Sequence, residues 1–145
     1  MSNYKGYKDL ECYKYGRELR RSISLLSLKF PKEEKYELTS QIKRASRSVT
    51  ANIAEGYGRY TYTDTRHFFI MARGSVTETM EHLITAYDEK YISEDDLNSE
   101  QEKCEKVFKL INGFISYLDK SKKVKTTSHP IPNSKLPLPH NEQPD

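Results

Sequence analysis

Residues 38–58, LTSQIKRASRSVTANIAEGYG, decide the fold class of this 145-residue chain. Apolar residues recur in this stretch at spacings of three and four, the period of a helix with one buried face; they are Leu38, Ile42, Ala45, Val49 and Ile53. The glycines that follow, Gly56 and Gly58, favour a left-handed cap at the end of the helix. The stretch therefore predicts an amphipathic helix that begins at Leu38 and ends at these glycines.

Three other stretches show the same helical spacing of apolar residues. They cover residues 12–30, 69–87 and 97–118. Pro31 cannot lie in a helix interior, Thr63-Asp64 can start the third helix, and Ser93 can cap a fourth helix whose first turn is acidic. Short links make consecutive helices antiparallel neighbours. The chain is therefore predicted to be all-α, an up-down-up-down antiparallel four-helix bundle.

The C-terminal residues differ in composition from the rest of the chain. Residues 121–145 contain four hydrophobic residues and five of the six prolines. So few apolar groups cannot offset the entropy that ordering the chain would cost. We therefore expect a four-helix-bundle domain over residues 1–120 and a disordered, proline-rich tail over residues 121–145.

Several classes of function are disfavoured by the scarcity of reactive residues. Two cysteines, four histidines and six glycines are too few for a disulfide framework, a metal cluster or a glycine-rich phosphate loop. His67 and His82 are fifteen positions apart and outside any metal-binding spacing. We expect no catalytic residue, no metal and no cofactor. Without a signal peptide or a run of apolar residues that could span a membrane, we expect a cytoplasmic protein with no membrane partner.

The net charge of +3 conceals an uneven distribution. Residues 1–59 carry thirteen Lys and Arg against seven Asp and Glu, whereas residues 60–120 carry seven against twelve. Such asymmetry indicates either a surface that binds a polyanion or complementary surfaces for self-assembly.

Cations and aromatic residues of the basic half form the candidate nucleic-acid site. Six cations would share one face if the first two helices pack side by side; they are Arg17, Arg20, Arg21, Lys43, Arg44 and Arg47. Beyond the second helix, Arg59 and Tyr60 belong to a tyrosine-rich segment that suits phosphate neutralisation and base stacking. A solvated cationic surface and a subunit interface are the alternatives for these residues.

A second set of residues is expected to stabilise the fold or to form a subunit interface. Its members are Asn52, Glu55, Gly56, Tyr57, Arg59, Arg73, Gly74 and Ser75. Asn52 can satisfy a buried backbone group, and Glu55 can pair with either arginine of the set. Gly74 can let the third helix approach the small residues of the second, and a tolerated surface glycine is the alternative. The alternative function for part of this set is a polar cluster that binds a ligand.

Four runs of residues resemble one protein family. They are FPKEE at 30–34, LTSQIKRA at 38–45, NIAEGYGR at 52–59 and ARGSVTE at 72–78. Together they resemble the four-helix-bundle proteins encoded in intervening sequences of bacterial 23S ribosomal RNA genes. That family is similar in architecture to the accessory variability protein of diversity-generating retroelements. Tyr13, Arg47 and Lys90 depart from the family pattern, and Lys90 stands where glycine is frequent.

The resemblance implies an up-down bundle assembled as a homopentameric ring, with RNA or another nucleic acid as its partner. We therefore predict a non-catalytic homopentamer that binds RNA through the basic face of its first two helices. Two alternatives stay open. One is an accessory platform for the reverse transcriptase of a diversity-generating retroelement, and the other is a purely structural assembly module.

Overall fold

A computed structural model describes residues 6–124 of the chain. Its four helices are α1 (Glu11–Leu26), α2 (Leu38–Tyr57), α3 (Tyr62–Asp88) and α4 (Glu94–Val124). Short 3-10 turns precede α1 and fill the link to α2, at Tyr7–Asp9, Ser27–Lys29 and Lys32–Glu34. Each helix packs against the next one in the chain, and α4 returns to pack against α1. The predicted all-α, up-down four-helix bundle is confirmed.

The helix ends follow local chemistry. Ser93 caps α4 as predicted, because its Oγ accepts from the Asp96 amide at 3.0 Å. The cap of α3 is Thr61, whose hydroxyl accepts from the Asp64 amide, so the helix begins slightly earlier than Thr63-Asp64. α4 continues to Val124, four residues beyond the expected domain boundary. The remaining tail prediction, for residues 125–145, lies outside the described residues.

The core lies between the four helices and is built from the predicted apolar faces. Phe69 of α3 and Phe114 of α4 are fully buried, with ring centres 4.3 Å apart. Cys12 and Cys104 are buried among these side chains, where cysteine acts as a small hydrophobe. Within residues 6–124, no helix is both long and apolar enough to cross a membrane.

Two expectations about glycine are wrong. No glycine between residues 6 and 124 has a positive φ, and Gly58 ends α2 at φ −79° because its amide still bonds to carbonyls of the preceding turn. Gly74 is exposed, with no atom within 4 Å of a Cβ placed there, so it does not provide the expected close approach. Gly56 provides it instead: a Cβ there would lie 2.8 Å from Phe68 Cβ and 3.2 Å from the Thr65 carbonyl oxygen. α2 and α3 therefore meet at Gly56.

Candidate functional site

A single polar contact locates the line along which α1 meets α2. Arg20 of α1 donates from Nη1 to Oγ1 of Thr50 on α2 at 2.9 Å. The helices come close here because Gly16 has no side chain. A Cβ at Gly16 would lie 3.3 Å from Thr50 Cγ2 and 3.4 Å from Val49 Cγ1. The contact therefore holds a half-buried guanidinium across the junction of the two helices.

Helical periodicity brings three more cations beside this contact. Arg17 lies three residues before Arg20, and Arg47 lies three residues before Thr50, so each shares a helix face with the contact. Lys43 lies four residues before Arg47 on the same face of α2. We call Arg17, Arg20, Lys43 and Arg47 the basic seam.

Arg21 and Arg44 lie on the flanks of the basic seam. Each comes one residue after a seam cation, Arg20 or Lys43, and is therefore turned about 100° around its helix from that cation. Both side chains are exposed. The structure thus brings the six predicted cations to one side of the bundle, with four at the junction and two at its edges.

These cations have no carboxylate partner among residues 6–124. Within the described part of the chain, none of the six takes part in an ion pair. No helix position three or four residues from a seam cation carries a carboxylate; Tyr13, Lys14, Ser24 and Ser40 are among these positions, and Glu18 lies three residues before the flanking Arg21. Because like charges held together without a counter-charge raise the local positive potential, the seam attracts anions.

The tyrosine-rich segment between α2 and α3 does not form an open stacking surface. Tyr57 is 3% exposed and belongs to the core, whereas Tyr60 is 63% exposed. Arg59 pairs with Glu55 at 3.2 Å, and its guanidinium carbon lies 4.6 Å from the centre of the Phe68 ring. Of the two residues predicted here to contact nucleic acid, Tyr60 is open to solvent and Arg59 is folded back onto α2 and α3.

The rest of the predicted interface set divides between two helix pairs. Asn52 donates to the Ser48 carbonyl at 2.9 Å, which satisfies a backbone group of its own helix. Arg73 donates to Asn112 Oδ1 at 2.8 Å and so joins α3 to α4 rather than pairing with Glu55. Ser75 bonds to the Met71 carbonyl at 3.1 Å. The set is therefore not brought together as one cluster.

Two polar clusters were not predicted from the sequence. Asp119 accepts from Arg66 Nε at 2.9 Å and from the Tyr62 hydroxyl, and this joins the start of α3 to the end of α4. The hydrogen bond to Asp119 is the largest cause of a raised Tyr62 pKa. Partners 53 and 57 residues apart leave no local spacing signal.

The second unpredicted cluster joins α1 to α4. Glu100 is buried and accepts from Ser22, while Lys103 donates to the same carboxylate at 3.0 Å and to the Ser22 hydroxyl at 2.9 Å. A charged residue on a buried helix position is the one sequence signal that could have revealed this cluster.

Residues suited to catalysis are dispersed. His82 contacts Glu78 at 3.2 Å on the same helix, and His67 lies more than four turns away along α3. Burial raises the pKa of the Cys104 thiol to about 12, with Glu100 adding to the shift, so the thiol stays protonated. Among residues 6–124, no three His, Cys, Asp or Glu side chains are grouped to hold a metal ion.

These features define a class of protein: an up-down four-helix bundle with a row of uncompensated cations where its first two helices meet. The chain belongs to the 23S rRNA-intervening sequence protein family, which matches residues 8–113. The family resemblance seen in the sequence is thereby confirmed.

A solved structure shares the fold. It is a protein of unknown function from the S23 ribosomal protein family of Bacteroides thetaiotaomicron, with a TM-score of 0.67 and 23% sequence identity. The match covers 72% of this chain and 97% of that one. At this identity the likeness supports the fold alone. No protein of curated function matches the chain.

Proposed function

We propose that this protein is a cytoplasmic, non-catalytic RNA-binding factor that acts as a homopentamer. The observation that carries the proposal is the basic seam, whose four cations have no carboxylate partner within residues 6–124. Phosphate groups would supply the missing counter-charge, and arginine suits them because its guanidinium binds phosphate with two hydrogen bonds. The family name, which refers to 23S ribosomal RNA, makes RNA the first polyanion to test.

Assembly would strengthen binding by repeating the seam around a ring. A ring forms through two different patches on each subunit, which meet head to tail. The basic α1–α2 half and the acidic α3–α4 half offer such unlike surfaces. Each added subunit brings another seam to the same polyanion, and linked sites bind more tightly than isolated ones.

The test is titration of RNA with the full chain at several salt concentrations, with particle mass measured in parallel. Neutralising phosphates releases counterions, so binding should weaken steeply as salt rises. Mass photometry should give about five times the chain mass. A stable monomer at micromolar concentration would contradict the ring, and undetectable RNA binding by the intact assembly at low salt would contradict the RNA role.

A protein-binding platform is the second candidate function, and one specific observation favours it. Leu25, Leu28 and Tyr36, around the link between α1 and α2, are 70%, 76% and 84% exposed. Large exposed apolar side chains concentrated around one link favour a surface where proteins interact. The partner expected for such a platform is a reverse transcriptase. A reverse transcriptase gene next to the coding sequence would favour the platform function. If neither such a partner nor RNA binding is found, the remaining function is that of a purely structural assembly module.

A further inference from the structure

We infer that the basic seam binds the phosphate backbone of double-stranded RNA rather than unpaired bases. The inference rests on the proposed RNA-binding function and specifies its substrate class. It combines the absence of a stacking surface near the seam with the arrangement of the seam cations.

Single-stranded RNA is bound through aromatic side chains on which successive bases stack. Within the described residues, Tyr57 is buried and Tyr62 is held by Asp119. The most exposed tyrosines, Tyr36 and Tyr60, lie beyond opposite ends of α2. A helix of 20 residues is ~30 Å long. This separation is too great for the two rings to stack neighbouring bases.

Tyr13 and Tyr15 of α1 do not replace the missing stacking surface. The Tyr13 ring packs edge-on against Tyr7 with centres 4.9 Å apart. Tyr15 is 39% exposed, and the ammonium of Lys106 lies 5.2 Å from its ring centre, on the side of the bundle where α1 meets α4. Within residues 6–124, the seam therefore offers phosphate contacts, and the ring beside it, that of Tyr13, is half-buried against Tyr7.

The seam cations form a row along the helices. Because Gly16 packs against Thr50 and Val49, Arg17 lies level with Thr50, and Arg47 and Lys43 follow along α2. About seven residues of α2 span the row, which is therefore ~10 Å long. A nucleic-acid duplex carries a charge about every 1.7 Å of its axis, and one strand carries a charge about every 3.4 Å. Four cations over this length match the phosphate spacing of one strand, so the preference for a duplex rests on rigidity and on the lack of a stacking surface among residues 6–124.

Rigidity also favours the duplex. Arg20 is held by Thr50 and by the close packing at Gly16, while four of the five N–H groups that a guanidinium carries are left for other acceptors. A flexible strand would lose conformational freedom on this row without the stacking energy, about 1–3 kcal/mol per base, that offsets the loss elsewhere. A duplex has its phosphates already in place, and proteins recognise A-form RNA largely by shape, phosphates and 2′-hydroxyls.

The experiment compares an RNA duplex of about 16 base pairs with one of its own strands, chosen to lack self-complementarity. The full chain should bind the duplex at least tenfold more tightly than the strand at the same salt concentration. R17Q/R47Q should reduce the slope of log affinity against log salt by about 2 for the duplex, since each phosphate contact contributes about 0.9. Y36A/Y60A should bind both probes as the parent does.

A matched control removes the same charge elsewhere. Lys109 and Lys120 on α4 are exposed and form no ion pair within residues 6–124. K109Q/K120Q should change the slope by less than half as much as R17Q/R47Q. Equal effects of the two double variants would mean that net charge, not the seam, attracts RNA, and the inference would be wrong.

Other outcomes separate this inference from the proposed function. Tighter binding of the single strand, or loss of binding in Y36A/Y60A, would overturn the duplex inference and leave RNA binding intact. Absence of binding to either probe by the intact assembly would remove both. Loss of the oligomer in R17Q/R47Q would place those arginines in a subunit interface and would also overturn the inference.

Discussion

The junction of α1 with α2 and the junction of α3 with α4 both contain arginine, but they use it differently. At the α3–α4 junction, Arg66 pairs with Asp119 at 2.9 Å and Arg73 bonds to Asn112 at 2.8 Å. At the α1–α2 junction, Arg20 bonds to a neutral hydroxyl, and among residues 6–124 no carboxylate pairs with the neighbouring cations. One junction uses its arginines to hold helices together, whereas the other leaves most of their hydrogen-bonding capacity unused.

This contrast shows that the count of cations is a poor guide to a binding surface. Residues 60–120 are acidic overall, yet Arg66 and Arg73 lie among them and are satisfied internally. The informative quantity is the number of cations without an internal partner. Within residues 6–124, six cations without a carboxylate partner lie where α1 meets α2, whereas the arginines at the α3–α4 junction are satisfied.

The largest expected effect on stability is at Gly56, where α2 packs against α3. In Gly56→Ala the new methyl group would overlap Phe68 Cβ, so α2 and α3 would have to separate. We expect a loss of about 2 kcal/mol in the free energy of unfolding. Chemical denaturation at fixed protein concentration measures it. Gly74→Ala is the control, because its Cβ meets nothing within 4 Å and alanine favours a helix over glycine by about 1 kcal/mol. Equal stability of the two variants would contradict the assigned packing.

Asp119→Asn tests whether the α3–α4 arginines have a structural role. Arg66 would lose its ion pair, and because both partners are more than a third exposed, we expect a loss of only about 1 kcal/mol. The pKa of Tyr62 should fall, since the hydrogen bond to Asp119 raises it. RNA affinity should not change. R17Q/R47Q should give the reverse result, with stability retained and affinity reduced; if both variants lose stability equally, the contrast between the junctions fails.

Lys90→Gly should stabilise the protein. Lys90 lies near the start of the link after α3 with φ 65°, the only positive φ of a residue other than glycine between residues 6 and 124. An L-amino acid with a side chain is strained in this conformation, so glycine should raise the free energy of unfolding by about 0.5–1 kcal/mol. Thermal denaturation of the variant should show a higher midpoint. A lower midpoint would mean that the lysine side chain contributes more than the strain costs.

The smallest effect at neutral pH is expected at the bond between Tyr91 and Glu34, which joins the link after α3 to the link before α2. The Tyr91 hydroxyl donates to Glu34 Oε2 at 2.8 Å, and this bond raises the Tyr91 pKa from 10.0 to about 12. Because the folded state favours the protonated phenol, the bond stabilises the protein below pH 10, and this contribution is lost as pH rises from 10 towards 12. Tyr91→Phe should lessen the fall in stability across that range. An unchanged pH profile in the variant would show that the bond does not contribute.

Periodic features of the sequence predicted most of the fold. Four runs with helical spacing gave the four helices, and Ser93 was recognised as a cap because its chemistry is local. Glycine was misjudged for a physical reason: Gly56 and Gly74 look alike in sequence, and only the distance to the neighbouring helix separates them. That distance depends on tertiary packing, which no spacing along the chain encodes.

The candidate site was predicted in part. The six cations were assigned to one side of the bundle from helix periodicity and the antiparallel packing of α1 and α2. That these cations have no carboxylate partner within residues 6–124 could not be predicted, because Asp119, Asp96 and Glu100 bind cations and hydroxyls far away in sequence. Arg59 was also predicted to contact RNA from its place in a tyrosine-rich segment. In the structure it pairs with Glu55 and lies over the Phe68 ring, and this packing could not be predicted from the sequence.

The neutral bond between Arg20 and Thr50 has a consequence for how this protein can evolve. The α1–α2 junction is closed by a hydroxyl and by the absence of a side chain at Gly16, and within residues 6–124 no salt bridge there ties the surface charge to the fold. Arg17, Lys43 and Arg47 can change one at a time, and ligand affinity can drift by small steps while the bundle stays intact. At the α3–α4 junction, Arg66 and Asp119 must change together. Natural variation should therefore be greater in the charges of the first junction than in those of the second.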